Sequence, residues 1–233
     1  MNLFNNFFPH AVFISFSDRT QDFTLADGQA DLTPSQKQSI IVNLPPETQV
    51  FYGRQVHGNR VVRVTKGDVP VKPPLIHSDG FVTDVPRIAL AVRTADCLPI
   101  FLFDPKEKCI AMVHAGWKGT RAGIVQRAVE AMKKYWHSSA ADMLASFGPA
   151  IRPCCYEVSA EFTHYFPGYT VLRDNKIFLD MAAANKAQLL ELGLKPANIL
   201  DSGACTCCDK QFFSFRREKD KAGRHVSIIM LRG

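Results

Sequence analysis

The sequence predicts an α+β fold, and three observations carry that prediction. Short apolar, β-branched runs punctuated by turn residues fill the first half of the chain, helical periodicity sets in after Gly119, and the two kinds of segment then mix without a strict strand-helix-strand rhythm.

The early runs are residues 11–16, 49–52, 60–64, 80–83, 88–92, 98–103 and 109–114, each of strand length. Gly53, Gly58, Gly67-Asp68, Pro73-Pro74, Asp79-Gly80 and Asp104-Pro105 separate them, supplying the φ freedom or fixed φ that turns require. Beyond Gly119, Ile124, Ala128, Ala131, Met132 and Tyr135 recur at helical spacing, with Arg127, Glu130, Lys133 and Lys134 between them. That pattern predicts an amphipathic helix, with Thr120 as its N-cap. Further helices are expected over 157–165 and over 180–192, the latter ended by Gly193. Residues 145–147, 170–172, 198–200, 212–215 and 226–231 read as strands. The Pro-rich stretch 69–74 reads as a rigid surface connection, and nothing in the chain has the length of an interdomain linker, so residues 1–233 are expected to form a single domain.

Composition narrows the function classes. Hydrophobic residues make up 46% and charged residues 21% of the 233, an ordinary globular balance far from that of disordered chains. The net charge of +6 favours anionic partners, but Lys and Arg stand singly or in short groups such as Arg216-Arg217. That distribution suits a small anion rather than a nucleic-acid groove. The first residues, MNLFNNFFPHAVFISF, lack a basic n-region and a small-residue cleavage site, and no apolar run reaches membrane-spanning length. Seven cysteines, an odd number, point to reduced thiols or metal ligands in a cytoplasmic protein rather than to a disulfide framework.

Three positions share one local design: His57 in GRQVHGNR, Cys97 in RTADCLPI and His114 in AMVHAGWKG. Each stands at the end of an expected strand beside a turn or a small residue that lets another group approach. Two imidazoles and one thiolate suit zinc with a fourth position left for water or substrate, and such a zinc lowers the pKa of its water. The same residues also suit a nucleophilic Cys97 activated by histidine. Bound metal discriminates the two. The long intervals between the three positions do not resemble the short ligand pairs of zinc fingers.

QVHG, DGFVTDVP, TADCLPIFLFD, VHAGWKGT, GPAIRPCCYEV and FFSFRR with a following GR resemble the pattern of the YfiH-like family from about Gln55 to Leu231. Members of that family have been called multicopper polyphenol oxidase (laccase), purine nucleoside phosphorylase and peptidoglycan editing factor. The resemblance implies an α-β-β-α sandwich of mixed sheets flanked by helices, a fold shared with a cysteine-dependent toxin deamidase. It also implies that His57, Cys97 and His114 form the catalytic site and bind zinc. Its implied activities are phosphorolysis of purine nucleosides, including methylthioadenosine, and deamination of adenosine.

Residues arbitrate among the family's names. Multicopper oxidation needs several copper sites, usually served by closely paired histidines, and the seven histidines here include no His-x-His pair; a single copper still suits thiolate and imidazole. Phosphorolysis needs an anion site, for which the planar fork of arginine is well shaped. Arg54 and Arg93 flank the expected ligands and stand first as substrate-binding residues. Arg216, Arg217 and Arg224 follow, with Lys118 near an expected helix start. Deamination adds a need for a proton-carrying carboxylate, either Asp79 or Asp96. Asp96 is adjacent to Cys97, so strand alternation points it to the opposite face, and either carboxylate has the alternative role of closing a turn or orienting a histidine. A peptidoglycan-editing amidase acting on a mis-loaded UDP-muramyl precursor is the alternative reading, and a non-catalytic zinc- or nucleotide-binding module is a further one. Sequence does not fix the oligomeric state.

Cys154-Cys155 and Cys205-Thr206-Cys207-Cys208 are candidates for a second, structural zinc site. Adjacent and Cys-x-Cys pairs depart from the usual zinc spacing, and the expectation is that these residues pack beside the first site. Cys109 is expected in a strand core. Met112, Trp117 and Phe147 are expected as core or pocket wall, with Trp117 placed to stack on a purine.

Overall fold

The computed structural model describes residues 7–25, 31–42, 44–69 and 75–233. Residues 70–74 of the expected Pro-rich connection lie outside them.

In chain order the elements are β1 (Val12–Phe16), α1 (Pro34–Ile41), β2 (Gln49–Phe51), β3 (Val61–Arg63), β4 (Gly80–Thr83), β5 (Ile88–Thr94), β6 (Leu98–Asp104) and β7 (Cys109–Ala115). There follow α2 (Trp117–Arg121), α3 (Ile124–Trp136), β8 (Leu144–Phe147), β9 (Glu157–Val158), α4 (Phe162–Tyr165), β10 (Thr170–Arg173) and β11 (Lys176–Leu179). The chain closes with α5 (Met181–Glu191), β12 (Ile199–Asp201), α6 (Phe215–Glu218) and β13 (His225–Leu231).

Two mixed sheets carry the fold. One has six strands in the order β12-β8-β6-β7-β4-β3, the other four in the order β1-β13-β5-β2, and a three-stranded sheet, β10-β11-β9, stands apart. Every residue of β6 and β7 is buried, as expected of central strands covered on both faces. Alternation divides their side chains between two cores. Phe101, Phe103, Ile110 and Met112 meet Ile14, Leu90, Val92 and Ile229 between the sheets. Ile100, Leu102, Ala111 and Val113 face α3 and α5 on the other side. Each fully buried Phe or Leu here contributes about 1.5–3 kcal/mol relative to exposure. A third core, including Tyr52, Ala89, Ala91 and Ile228, lies on the outer face of the four-stranded sheet under Ile40 of α1. The layers are therefore α-β-β-α, the arrangement the family resemblance implies.

Several local expectations are corrected. The amphipathic helix is α3, but its N-cap is Gly123 at φ +75°, while Thr120 lies inside the short α2 and accepts a hydrogen bond from Asn185. The expected helix over 157–165 begins instead as β9, which pairs with β11, and only Phe162–Tyr165 is helical. Residues 212–215 are not a strand; Ser214 caps α6, its hydroxyl accepting from the Arg217 N–H. By contrast α5 starts where expected, with the Asp180 carboxylate accepting from the Ala183 N–H.

Candidate metal centre and substrate cleft

The site forms where β5 ends, β6 begins and β7 ends. Antiparallel register sets Leu98 opposite Ala115 and Pro99 opposite His114, which brings Cys97 beside the end of β7. His57 arrives from the loop between β2 and β3, and its ring meets that of His114 edge-on, with centroids 4.8 Å apart. The ligand atoms of His57, Cys97 and His114 all lie within 4.8 Å of one another. The three residues singled out from the sequence therefore converge.

Asp79 organises them. Its carboxylate accepts the backbone N–H groups of Val56 (3.2 Å), His57 (2.9 Å) and Gly58 (2.8 Å), and it lies 2.8 Å from Nδ1 of His114. The His114 N–H also donates to the Asp79 carbonyl oxygen at 2.7 Å. His57 sits at φ +58°, a left-handed conformation that costs a residue with a side chain about 1–2 kcal/mol. Three N–H groups converging on one buried carboxylate hold it there. Gly116 completes the fit, since a Cβ at that position would lie 2.9 Å from Cδ2 of His57 and 3.3 Å from Sγ of Cys97.

The electrostatics follow from this packing. Burial works to raise the Cys97 thiol, but the His114 charge and hydrogen bonds from His114 and His57 outweigh it and hold the thiol down at about 6. Burial works to lower His114, yet the Cys97 thiolate and the Asp79 hydrogen bond push it up to about 9. Asp79 is held below the usual carboxylate range, the His114 contact and the backbone donors overcoming its burial. One thiolate and two imidazoles, one of them oriented through its second nitrogen by a carboxylate, form a donor set that fits zinc or copper.

The three residues line a cleft of about 710 Å³. Arg93, Arg216, Lys219 and Arg224 line it as well, and among the described residues they face one lining carboxylate, Asp96. Nε of Arg93 is buried without a hydrogen-bond partner among the described residues, and Gln55 clamps the Arg93 backbone through both its N–H and its carbonyl. Arg216 is anchored by Nη1 to the Glu157 carbonyl at 2.7 Å, with its guanidinium 5.3 Å from the Tyr156 ring centre.

Other expectations change. Asp96 is not on the strand face opposite Cys97; it sits in the turn between β5 and β6 at φ +87° and lines the cleft. Its carboxylate is engaged by the Thr206 hydroxyl (2.7 Å) and the Arg216 N–H (2.6 Å). Asp79 has both oxygens taken by donors, so it orients His114 instead of facing the cleft. Arg54 and Lys118 are exposed and do not line the cleft: Arg54 bridges to His77, and Lys118 lies over the Trp117 ring. Arg217 binds the carbonyls of Thr206, Cys207 and Phe212 and serves as a brace. Met112 and Phe147 are core; Trp117 lines the cleft, packed on Phe162 and Tyr165. Cys109 is core, with burial pushing its thiol up to about 12. Gln55, Tyr156, Phe215 and Lys219 also line the cleft and are not among the expected site residues, although QVHG, GPAIRPCCYEV and FFSFRR contain the first three; Phe215 is a 44% exposed aromatic at the cleft wall. Among the described residues no helix is long and apolar enough to cross a membrane.

The family described as multi-copper polyphenol oxidoreductase laccase matches residues 24–232. A purine nucleoside phosphorylase of Aquifex aeolicus is 33% identical over 183 residues, 78% of this chain and 84% of the relative. The crystal structure of YlmD from Geobacillus stearothermophilus superposes with a TM-score of 0.86 at 27% identity, covering 96% of this chain and 93% of that one. That of a hypothetical protein YfiH from Bacillus licheniformis gives 0.84 at 26%, covering 98% and 94%.

Proposed function

Because the chain belongs to the multi-copper polyphenol oxidoreductase laccase family, the YfiH-like proteins, and has relatives named purine nucleoside phosphorylase, we propose that it is a zinc-dependent purine nucleoside phosphorylase of the cytoplasm. In this reading it also phosphorolyses methylthioadenosine and deaminates adenosine. The observation that carries the proposal is one cleft lined both by four cationic side chains and by the converging His57, Cys97 and His114.

His57, Cys97 and His114 hold the metal, and zinc is the ion assigned to this donor set. A bound zinc supplies Lewis-acid polarisation of an oxygen or nitrogen in the substrate. The protein's own groups do the rest. Arg93, with its unpartnered Nε, and Arg216, fixed by Glu157, bind phosphate and hold it for attack on the sugar C1′ as the bond to the purine breaks. Lys219 and Arg224 add positive charge that offsets the phosphate. Phe215, Tyr156 and Trp117 form aromatic surfaces for the base, and their apolar area excludes water from the reacting bond. Asp96 fixes the Arg216 backbone and so the angle at which that arginine enters the cleft.

The test is product analysis with adenosine, with and without phosphate. Adenine and ribose 1-phosphate appear only when phosphate is present, and inosine appears in either case. A zinc-loaded protein that leaves adenosine and methylthioadenosine intact in both conditions refutes the reading.

A further inference from the structure

Four cysteines not used by this chemistry gather beside the cleft. Cys154 and Cys155 lie in the turn after Arg152, and Cys205 and Cys208 bracket the turn that follows β12. A parallel bridge between Ala150 and Cys205 joins the two segments, with Ala150 N–H donating to the Ala204 carbonyl and Thr206 N–H to the Ala150 carbonyl. The four sulphurs lie within 4.8 Å of one another; Cys155 and Cys208 are 3.2 Å apart and Cys154 and Cys208 3.5 Å. All four are free thiols. A tetrahedral ion about 2.3 Å from each sulphur spaces its ligands roughly 3.8 Å apart, close to this arrangement.

The pairing differs from the sequence expectation. Cys207, which stands at Cys-x-Cys spacing from Cys205, is outside the group and packs against the helix-side core. Cys205 and Cys208 are the partners, and theirs is the Cys-x₂-Cys spacing common in zinc sites.

The surroundings suit a negatively charged metal-thiolate cluster. Four thiolates around a divalent ion leave two net negative charges, and three guanidinium groups brace the two turns. Arg173 donates to the Cys154 carbonyl (3.0 Å), Arg217 to those of Thr206 (2.9 Å) and Cys207 (2.8 Å), and Arg152 to that of Ala204 (3.2 Å).

We propose that Cys154, Cys155, Cys205 and Cys208 form a second, closed zinc site that pins these two turns together. Four protein sulphurs leave no position for substrate, so the role is structural. The pinned turns support the cleft: Tyr156, next to Cys155, lines it, and Thr206, next to Cys205, holds Asp96.

The test is zinc stoichiometry of protein purified under reducing conditions, by mass spectrometry of the intact folded chain. Wild type carries two zinc ions, Cys208→Ser one, Cys97→Ala one and the double variant none. Cys208 is at the surface, so its serine variant is expected to fold. The two sites are read separately: if Cys97→Ala leaves the count unchanged while Cys208→Ser removes one zinc, the cysteine site stands and the metal centre in the cleft does not. Cobalt(II) titrated into Cys97→Ala that has first been stripped of zinc under reducing conditions supplies a second readout, the strong thiolate-to-cobalt absorption of a tetrahedral four-sulphur site. A zinc count that Cys208→Ser does not change, a disulfide among these cysteines in place of the ion, or folded Cys97→Ala lacking the cobalt bands overturns the proposal.

Discussion

The Asp79 carboxylate lies 2.8 Å from Nδ1 of His114, with the two side chains 0% and 2% exposed, and the same carboxylate gathers the backbone N–H groups of residues 56–58. One buried acid thereby sets both the orientation of one imidazole and the backbone conformation that presents the other. Asp79→Asn removes the charge and keeps the shape. It is expected to weaken zinc binding at the cleft about 10–100-fold, the usual effect of losing such an outer hydrogen bond. Competition with a chromophoric chelator, in the Cys208→Ser background, measures it; an unchanged affinity contradicts the role assigned to Asp79.

Gly116→Ala would place a methyl 2.9 Å from the His57 ring and 3.3 Å from the Cys97 sulphur. Two ligands must move to admit it. Zinc content and turnover are expected to fall together while circular dichroism and the melting temperature stay close to wild type. Full metal occupancy in this variant counts against the geometry described.

In protein stripped of metal, Cys97 is expected to react as a low-pKa thiol. Its pKa is held at about 6 against an ordinary 9.0, and His114 keeps its proton up to about 9, so thiolate and imidazolium coexist between those values. The sign is that of a depressed acid: thiolate forms as pH rises through about 6 and is lost below it. Iodoacetamide labelling of Cys97, read by peptide mass spectrometry, should rise near pH 6 and level off by about pH 8. Labelling that rises only near pH 9 rejects the ion pair.

Arg93→Ala is expected to raise the KM for phosphate at least tenfold, since Arg93 lines the cleft and its buried Nε has no hydrogen-bond partner among the described residues. Lys118→Ala, outside the cleft, is expected to change it less than twofold. Equal effects would remove Arg93 from the anion site.

Legibility from sequence followed the range of the interactions involved. The central strands were readable because burial on both faces makes residues 98–103 and 109–113 continuous apolar runs. His57, Cys97 and His114 were readable through the family resemblance of QVHG, TADCLPIFLFD and VHAGWKGT, because their long spacing marks no metal site by itself and His57 lies within the β2–β3 loop, away from any strand end. Asp96 was misplaced because period-two alternation was extended past Thr94, where the chain turns through a positive φ. Arg54 was favoured for sequence proximity to His57, yet its backbone bridges to His77 and its side chain is outside the cleft. Tyr156, Phe215 and Lys219 reach the cleft only through long-range packing, and the four-cysteine cluster forms only because the Ala150–Cys205 bridge joins segments some fifty residues apart. Residues 157–158 look helical by composition, but pairing with β11 decides their conformation.

The most direct measurement is zinc content and adenosine phosphorolysis on the same samples of Cys208→Ser and of Cys97→Ala combined with Cys208→Ser. The first is expected to carry one zinc per chain and to release adenine and ribose 1-phosphate, the second to carry none and to be inactive while still folded. Phosphorolysis that persists in the folded, zinc-free double variant would contradict the assignment of His57, Cys97 and His114 as the metal centre on which the activity depends.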